Sequence, residues 1–155
     1  MDDEIRRQVP LFDRLASIES TAPFGRPGEP LDREGLRESL RRELERLLNT
    51  RCSLSAQALV DRDRTVIDYG IPDLAYLSPK DSSNRDAICY HIKQAVEAYE
   101  PRLRRVSVTA EEIVDDAHSL RVRIEAELLG DRLGETVNFD VHSTKEGRAE
   151  VRGGA

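Results

Sequence analysis

The chain has 155 residues, of which 38% are hydrophobic and 35% charged, and carries a net charge of −6. That length points to one domain with enough interior for a real core. It excludes a membrane-embedded reading, because no apolar run approaches the roughly 20 residues a spanning helix needs. The negative charge also argues against non-specific nucleic-acid binding.

Two cysteines, Cys52 and Cys89, build no disulfide framework. The acidic start Met1-Asp2-Asp3-Glu4 lacks the apolar stretch of a secretory signal, so a reduced, cytoplasmic location is expected. Only Lys80, Lys93 and Lys145 are lysines; the other 21 of the 24 basic residues are arginines. That bias reflects either genomic base composition or a use of planar, bidentate pairing at interfaces.

Residues 1–30 read as an N-terminal arm, partly ordered at best. It contains a short apolar patch at Leu11-Phe12-Asp13-Arg14-Leu15 and a Pro- and Gly-dense stretch from Thr21 to Pro30. A helix follows, capped by Asp32, with Leu36, Leu40, Leu44, Leu47 and Leu48 on one stripe. Glu38 with Arg42, and Arg41 with Glu45, can pair on its wet face. The stripe fits a core face or, alternatively, a groove for a partner helix.

Between Arg51 and Pro79 the expectations are a short helical piece around Leu54–Ala58, a brief strand at Val66-Ile67, and a structured loop at Tyr69-Gly70-Ile71-Pro72-Asp73-Leu74. Leu74, Tyr76 and Leu77 are expected to fold that loop onto the core. A second helix opens at Ser82 or Ser83, with Ser83 and Asp86 as a capping box, and buries Ile88, Ile92, Ala95, Val96 and Tyr99.

Three alternating segments then read as strands, around Val106–Ala110, Leu120–Leu128 and Thr136–His142. The stretch Glu111–Asp116 supplies one connection, and Gly130-Asp131 with Gly134 the other. Apolar residues on one face and polar on the other mean an antiparallel sheet with one wet side. The fold class is therefore α+β: two main helices packed on an antiparallel sheet of three to four strands. The domain spans residues 31–145, followed by a flexible tail over residues 146–155. Such a meander leaves a free edge, which is a liability unless a partner strand uses it.

At the seam between the second helix and the first strand stands Glu100-Pro101-Arg102. Pro101 ends the helix and pushes Glu100 into an extended conformation. Residues two apart on extended chain point to the same side, so Glu100 and Arg102 project together. The pair either closes on itself or offers a two-signed patch to a partner.

Chemistry-bearing patterns are scarce. His91, His118 and His142 stand at no metal-type spacing with the cysteines. His91 reads as a core-edge residue and Cys89 as an ordinary buried thiol. Neither a nucleophile elbow, a phosphate loop nor a dinucleotide fingerprint is present. Asp68, Asp73 and Glu100 are the carboxylates to weigh for glycoside hydrolysis, but Arg102 beside Glu100 disfavours the neutral acid such chemistry needs. No catalytic residue, metal or cofactor is expected.

Four pieces occur in order: Leu11–Leu15, then Leu44-Glu45-Arg46-Leu47-Leu48-Asn49-Thr50-Arg51, then Tyr69–Leu74, then Tyr99-Glu100-Pro101-Arg102-Leu103. Together they resemble the TssE family of type VI secretion baseplate subunits, which includes the small wedge protein of contractile phage baseplates and carries an old "lysozyme-like" label. The resemblance covers roughly Leu11 to Val141. It implies a non-enzymatic, structural role that joins the wedge proteins TssF and TssG, with TssK, to the TssB/TssC sheath and helps to start sheath assembly. It further implies a location at a baseplate docked on the inner membrane. Implied partner-binding residues are Glu100, Pro101 and Arg102, joined by Tyr69, Asp73 and Arg51. The rival readings are a peptidoglycan hydrolase and a free-standing adaptor that binds a peptide by strand addition.

Overall fold

The computed structural model describes residues 31–60, 62–111, 120–129, 136–143 and 148–153. The expected arm over residues 1–30, the two loops expected to join the strands and His118 lie outside these. Two helices, α1 (Arg33–Asn49) and α2 (Ser82–Tyr99), precede four strands: β1 (Leu103–Glu111), β2 (Arg121–Leu128), β3 (Thr136–Ser143) and β4 (Ala149–Gly153). The strands form one antiparallel meander in the order β1-β2-β3-β4, so the fold is α+β with two helices on a four-stranded sheet.

Helix α1 begins where expected: the Asp32 carboxylate accepts the Gly35 N–H at 2.7 Å, satisfying one orphan donor of the first turn. Its leucine stripe is a core face, with Leu40, Leu44, Leu47 and Leu48 buried and Leu36 packed at the margin. Arg41 bridges Glu38 and Glu45 on the wet side. Helix α2 opens at Ser82, as expected, but its cap differs. Asp81, not Ser83 with Asp86, caps it, because the Asp81 side chain reaches the Ser83 N–H at 3.0 Å.

The sheet buries Val122, Ile124, Ala126 and Leu128 from β2 against Val137, Phe139 and Val141 from β3, with Ile124 opposite Phe139. The outer face carries charge: Arg123 pairs with Asp140 at 3.1 Å and with Glu111 at 2.8 Å, lacing β1, β2 and β3 together. Strand β1 breaks strict alternation. Arg105 and Val106 together oppose Ala126, and Arg105 takes a φ of 50°, a β-bulge that lets both Leu103 and Val106 face inward. Residues 149–153, within the stretch 146–155 expected as a flexible tail, form β4, whose Val151 is buried opposite Val141. Five residues with a single apolar anchor offer too little period to be recognised as a strand.

Each helix also reaches a sheet edge. The Asn49 side chain donates to the Ala149 carbonyl at 2.8 Å and accepts the Ala149 N–H at 2.9 Å, and Arg41 donates to the Val151 carbonyl at 3.2 Å. Side chains of α1 thus occupy the outward backbone groups of β4. At the other edge, among the described residues, the Cys89 thiol of α2 takes a backbone hydrogen bond from Ala110 of β1. Burial pushes the Cys89 thiol up, and that hydrogen bond partly offsets it.

Two tests follow from packing. Gly70 holds a φ of +112°, and a Cβ there would sit 2.9 Å from the Thr50 carbonyl carbon. Gly70→Ala therefore combines left-handed strain with overpacking and is expected to destabilise by ~2–5 kcal/mol, read as a fall in the urea midpoint. Burial, with Arg64 nearby, lowers the pKa of His91 below its ordinary value of about 6.5. The unfolded chain then binds the proton more readily. The stability His91 contributes is present above about pH 6.5 and is lost as pH falls towards its lowered folded pKa. The urea midpoint of His91→Leu should fall less between pH 7 and pH 5 than that of the parent; parallel profiles would refute this.

Candidate functional site: the corner between helix α2 and strand β1

Helix α2 ends because Pro101 follows it. The Glu100 N–H makes the last helical bond, to the Val96 carbonyl at 2.9 Å, and the Leu103 N–H closes a turn on the Glu100 carbonyl at 3.1 Å. Pro101 holds the second position of that turn, where its fixed φ is an asset. The Glu100 carboxylate then folds over the turn. It accepts the Arg102 N–H at 3.2 Å and a two-pronged bond from the guanidinium, Nε to Oε1 at 2.7 Å and NH2 to Oε2 at 2.6 Å. The remaining guanidinium nitrogen, NH1, donates to Ser39 Oγ in α1 at 3.1 Å, and the Arg102 carbonyl accepts the Leu129 N–H at 2.8 Å.

Glu100 and Arg102 do share one side, as their spacing implies. That side faces inward: the side chains are 5% and 12% exposed. In the free chain the pair closes on itself and on Ser39, joining α2, β1, α1 and the end of β2. Ser39 was not singled out from the sequence. Its signal was there, as a small polar residue among leucines on a buried stripe, where a hydroxyl needs a partner.

A braced turn adjoins the corner. The Tyr69 ring meets the Tyr99 ring edge-on at 5.1 Å between centroids, and the Tyr99 hydroxyl donates to the Thr65 carbonyl at 2.8 Å. Asp68, 2% exposed, accepts from Thr65 N at 3.1 Å and Thr65 Oγ1 at 2.8 Å, with Arg62 at 3.5 Å. The Thr65 hydroxyl bond, against the cost of burial, holds the Asp68 carboxyl below its ordinary range. Val66 and Ile67, expected as a strand, form a 3₁₀ turn with Asp68 and face solvent. Arg64 donates to the Gly70 carbonyl at 3.2 Å.

Arg51 and Asp73 come together as an exposed ion pair at 2.7 Å, and a parallel bridge between Arg51 and Ile71 sets the loop against the end of α1. Tyr76, expected to fold onto the core, is instead 70% exposed, whereas Leu74 is buried. The sequence-selected residues therefore fall into two groups: Tyr69 with the Glu100–Arg102 corner, and Arg51 with Asp73.

An apolar cavity of about 740 Å³ lies between the end of α1, the 71–79 loop and the start of α2, floored by Val122 and Val141. None of its lining residues is a carboxylate. Asp68 is engaged by Thr65, Asp73 by Arg51 and Glu100 by Arg102. Among the described residues, no cluster of His, Cys and carboxylate side chains is placed to hold a metal ion.

The brace predicts its own test. Removing one partner of a buried, hydrogen-bonded pair strands the other, so Glu100→Ala is expected to lower stability by ~3–5 kcal/mol in urea unfolding. Ser39→Ala, which removes only the third contact, should cost about 1–3 kcal/mol. A Glu100→Ala chain as stable as the parent would mean that the pair braces nothing.

Comparison with known proteins gives a family. A family model described as "Baseplate wedge protein gp25" matches residues 34–132, more than half of the chain. Among solved structures, a chain of "The baseplate complex from the type VI secretion system" is similar at 23% identity, over 77% of this chain and 89% of that one, with a TM-score of 0.47. No curated protein matches. The matched span opens in the first turn of α1, contains the braced turn and the Glu100–Arg102 corner, and ends just beyond β2: this chain belongs to the gp25 family of baseplate wedge proteins.

Proposed function

We propose that the chain is the TssE-type subunit of a type VI secretion baseplate, a non-enzymatic joint between the wedge and the sheath. In this reading it docks on TssF and TssG, near TssK, and its sheet starts the first ring of TssB/TssC, in the cytoplasm at the baseplate on the inner membrane. The observation that carries the reading is its family membership, joined to the order of its motifs: the α1 end at Arg51, the Tyr69–Leu74 loop and the Glu100-Pro101-Arg102 corner.

The geometry suits such a joint. A subunit that transmits orientation needs elements that do not shift against one another, and the corner ties both helices to the sheet through one guanidinium. Glu100, Pro101 and Arg102 keep the docking surface in shape, while the exposed Arg51–Asp73 pair and the turn held by Tyr99, on which Tyr69 packs, lie at the surface for contact.

For sheath contact the two edges are unequal. Asn49 and Arg41 already occupy the outward groups of β4. Along β1 the bulge and the exposed Arg104 and Arg105 blunt the first half, and Ser107–Glu111 is the regular stretch left for an incoming strand. The backbone N–H of Ala110 is turned outward to Cys89, so the backbone N–H of Val108, two residues away, is turned outward as well, while both side chains pack on the core.

The deciding experiment is a pull-down of co-expressed TssF and TssG with the purified chain. Retention of both is expected; failure to retain either would sink the proposal. A muramidase assay on the same protein should give no turnover, whereas robust turnover abolished by one carboxylate substitution would favour the hydrolase. Val108→Pro, which spares the β1–β2 ladder, is expected to keep wedge retention and block sheath polymerisation. Normal sheath growth with that variant would rule out strand addition at β1.

A further inference from the structure

All the large hydrophobic residues that stand exposed among the described residues fall between Val60 and Tyr90, and the two most exposed are neighbours: Val66 at 89% and Ile67 at 78%. Two adjacent β-branched side chains in water are unfavourable unless something covers them part of the time. They are also not on a floppy loop. The 3₁₀ turn that carries them is fixed from both ends. Asp68 gathers the Thr65 N–H and hydroxyl, Tyr99 holds the Thr65 carbonyl, and Arg64 holds the Gly70 carbonyl. A buried carboxylate thus shapes a turn whose outward residues stand in solvent.

From this we infer that Val66–Ile67 is the apolar anchor of the wedge-docking surface, inserting into an apolar socket on the wedge protein. The inference rests on the proposed baseplate role and goes beyond it by placing the binding energy. The charged corner is turned inward, so it cannot supply that energy itself. It closes α2 directly after Tyr99, whose hydroxyl holds the turn at the Thr65 carbonyl. A rigid aliphatic knob loses little conformational freedom on binding, which raises the affinity obtained from a small contact. Anchors of this kind, fully desolvated in a partner's pocket, dominate interface energetics.

The occupant is a different protein and not a second copy. Two such knobs face to face would cover only a few hundred Å², well short of the roughly 1,200 Å² that a specific interface buries. A heterologous partner can seat the knob and continue over the adjoining corner and the Arg51–Asp73 loop.

The test is the double substitution Val66→Ser with Ile67→Ser in the full chain, assayed by TssF–TssG retention and by urea unfolding. Both side chains are exposed, so the unfolding midpoint should stay at the parent value while wedge affinity falls at least tenfold. Ile67→Thr alone, which keeps the branching, should give a smaller loss in the same direction. Tyr76→Ser, equally a loss of an exposed hydrophobic residue, should bind like the parent. Undiminished retention by the double variant overturns the anchor while leaving the baseplate role standing; a parent that retains no wedge protein removes both. Concentration-dependent self-association of the parent that the double variant loses would also overturn it, assigning the knob to a second copy.

Discussion

One guanidinium holds this molecule's parts in register. Arg102 spends its fork on Glu100, its remaining nitrogen on Ser39 and its carbonyl on Leu129. A buried ion pair is a poor source of net stability, since desolvation offsets much of the Coulombic gain. Its value lies in geometry. Only one placement of α1 beside the α2–β1 turn satisfies both the carboxylate and the hydroxyl. Alternative packings of the same leucine stripe would part the buried Ser39 hydroxyl from the third guanidinium nitrogen. The apolar core favours helices on a sheet; the corner selects which arrangement of them.

The rest of the architecture protects what the corner positions. Helix α1 packs its leucines on the sheet and also lends Asn49 and Arg41 to the backbone edge of β4. At β1 the edge is blunted by a bulge with two exposed arginines and approached by Cys89. Free strand edges invite association: the short β4 is covered by side chains of α1, and β1 is blunted over its first half by the bulge and its arginines. The wet face of the sheet is laced by Glu111, Arg123 and Asp140, which ties three strands together without adding apolar surface.

Binding and bracing are therefore divided between neighbouring residues. The charged residues that read most readily as contacts work inside the protein, and exposed aliphatic residues on the adjoining turn remain for a partner. Charged pairs at a subunit's surface confer specificity at modest energy, whereas a fixed apolar protrusion supplies affinity.

The amino-acid sequence by itself determined the elements whose signals are local. The leucine spacing of α1 with its Asp32 cap, the stop at Pro101, the alternation of β2 and β3, and the ordered motifs of the family are all written within a few residues of one another. What only the tertiary structure decided depends on partners distant along the chain. Glu100 and Arg102 turned inward because Ser39, 63 residues away, offers a buried hydroxyl. Residues 149–153 became a strand because β3 and Asn49 supply partners for their backbone. Val66 and Ile67 have the composition of a strand yet form an exposed turn: Asp68 captures Thr65 locally, and Tyr99, 34 residues away, fixes the Thr65 carbonyl. Local pattern encodes periodicity, termination and the apolar face of a regular element; the direction taken by a charged corner or a short edge segment is settled by long-range hydrogen bonds that no window of sequence contains.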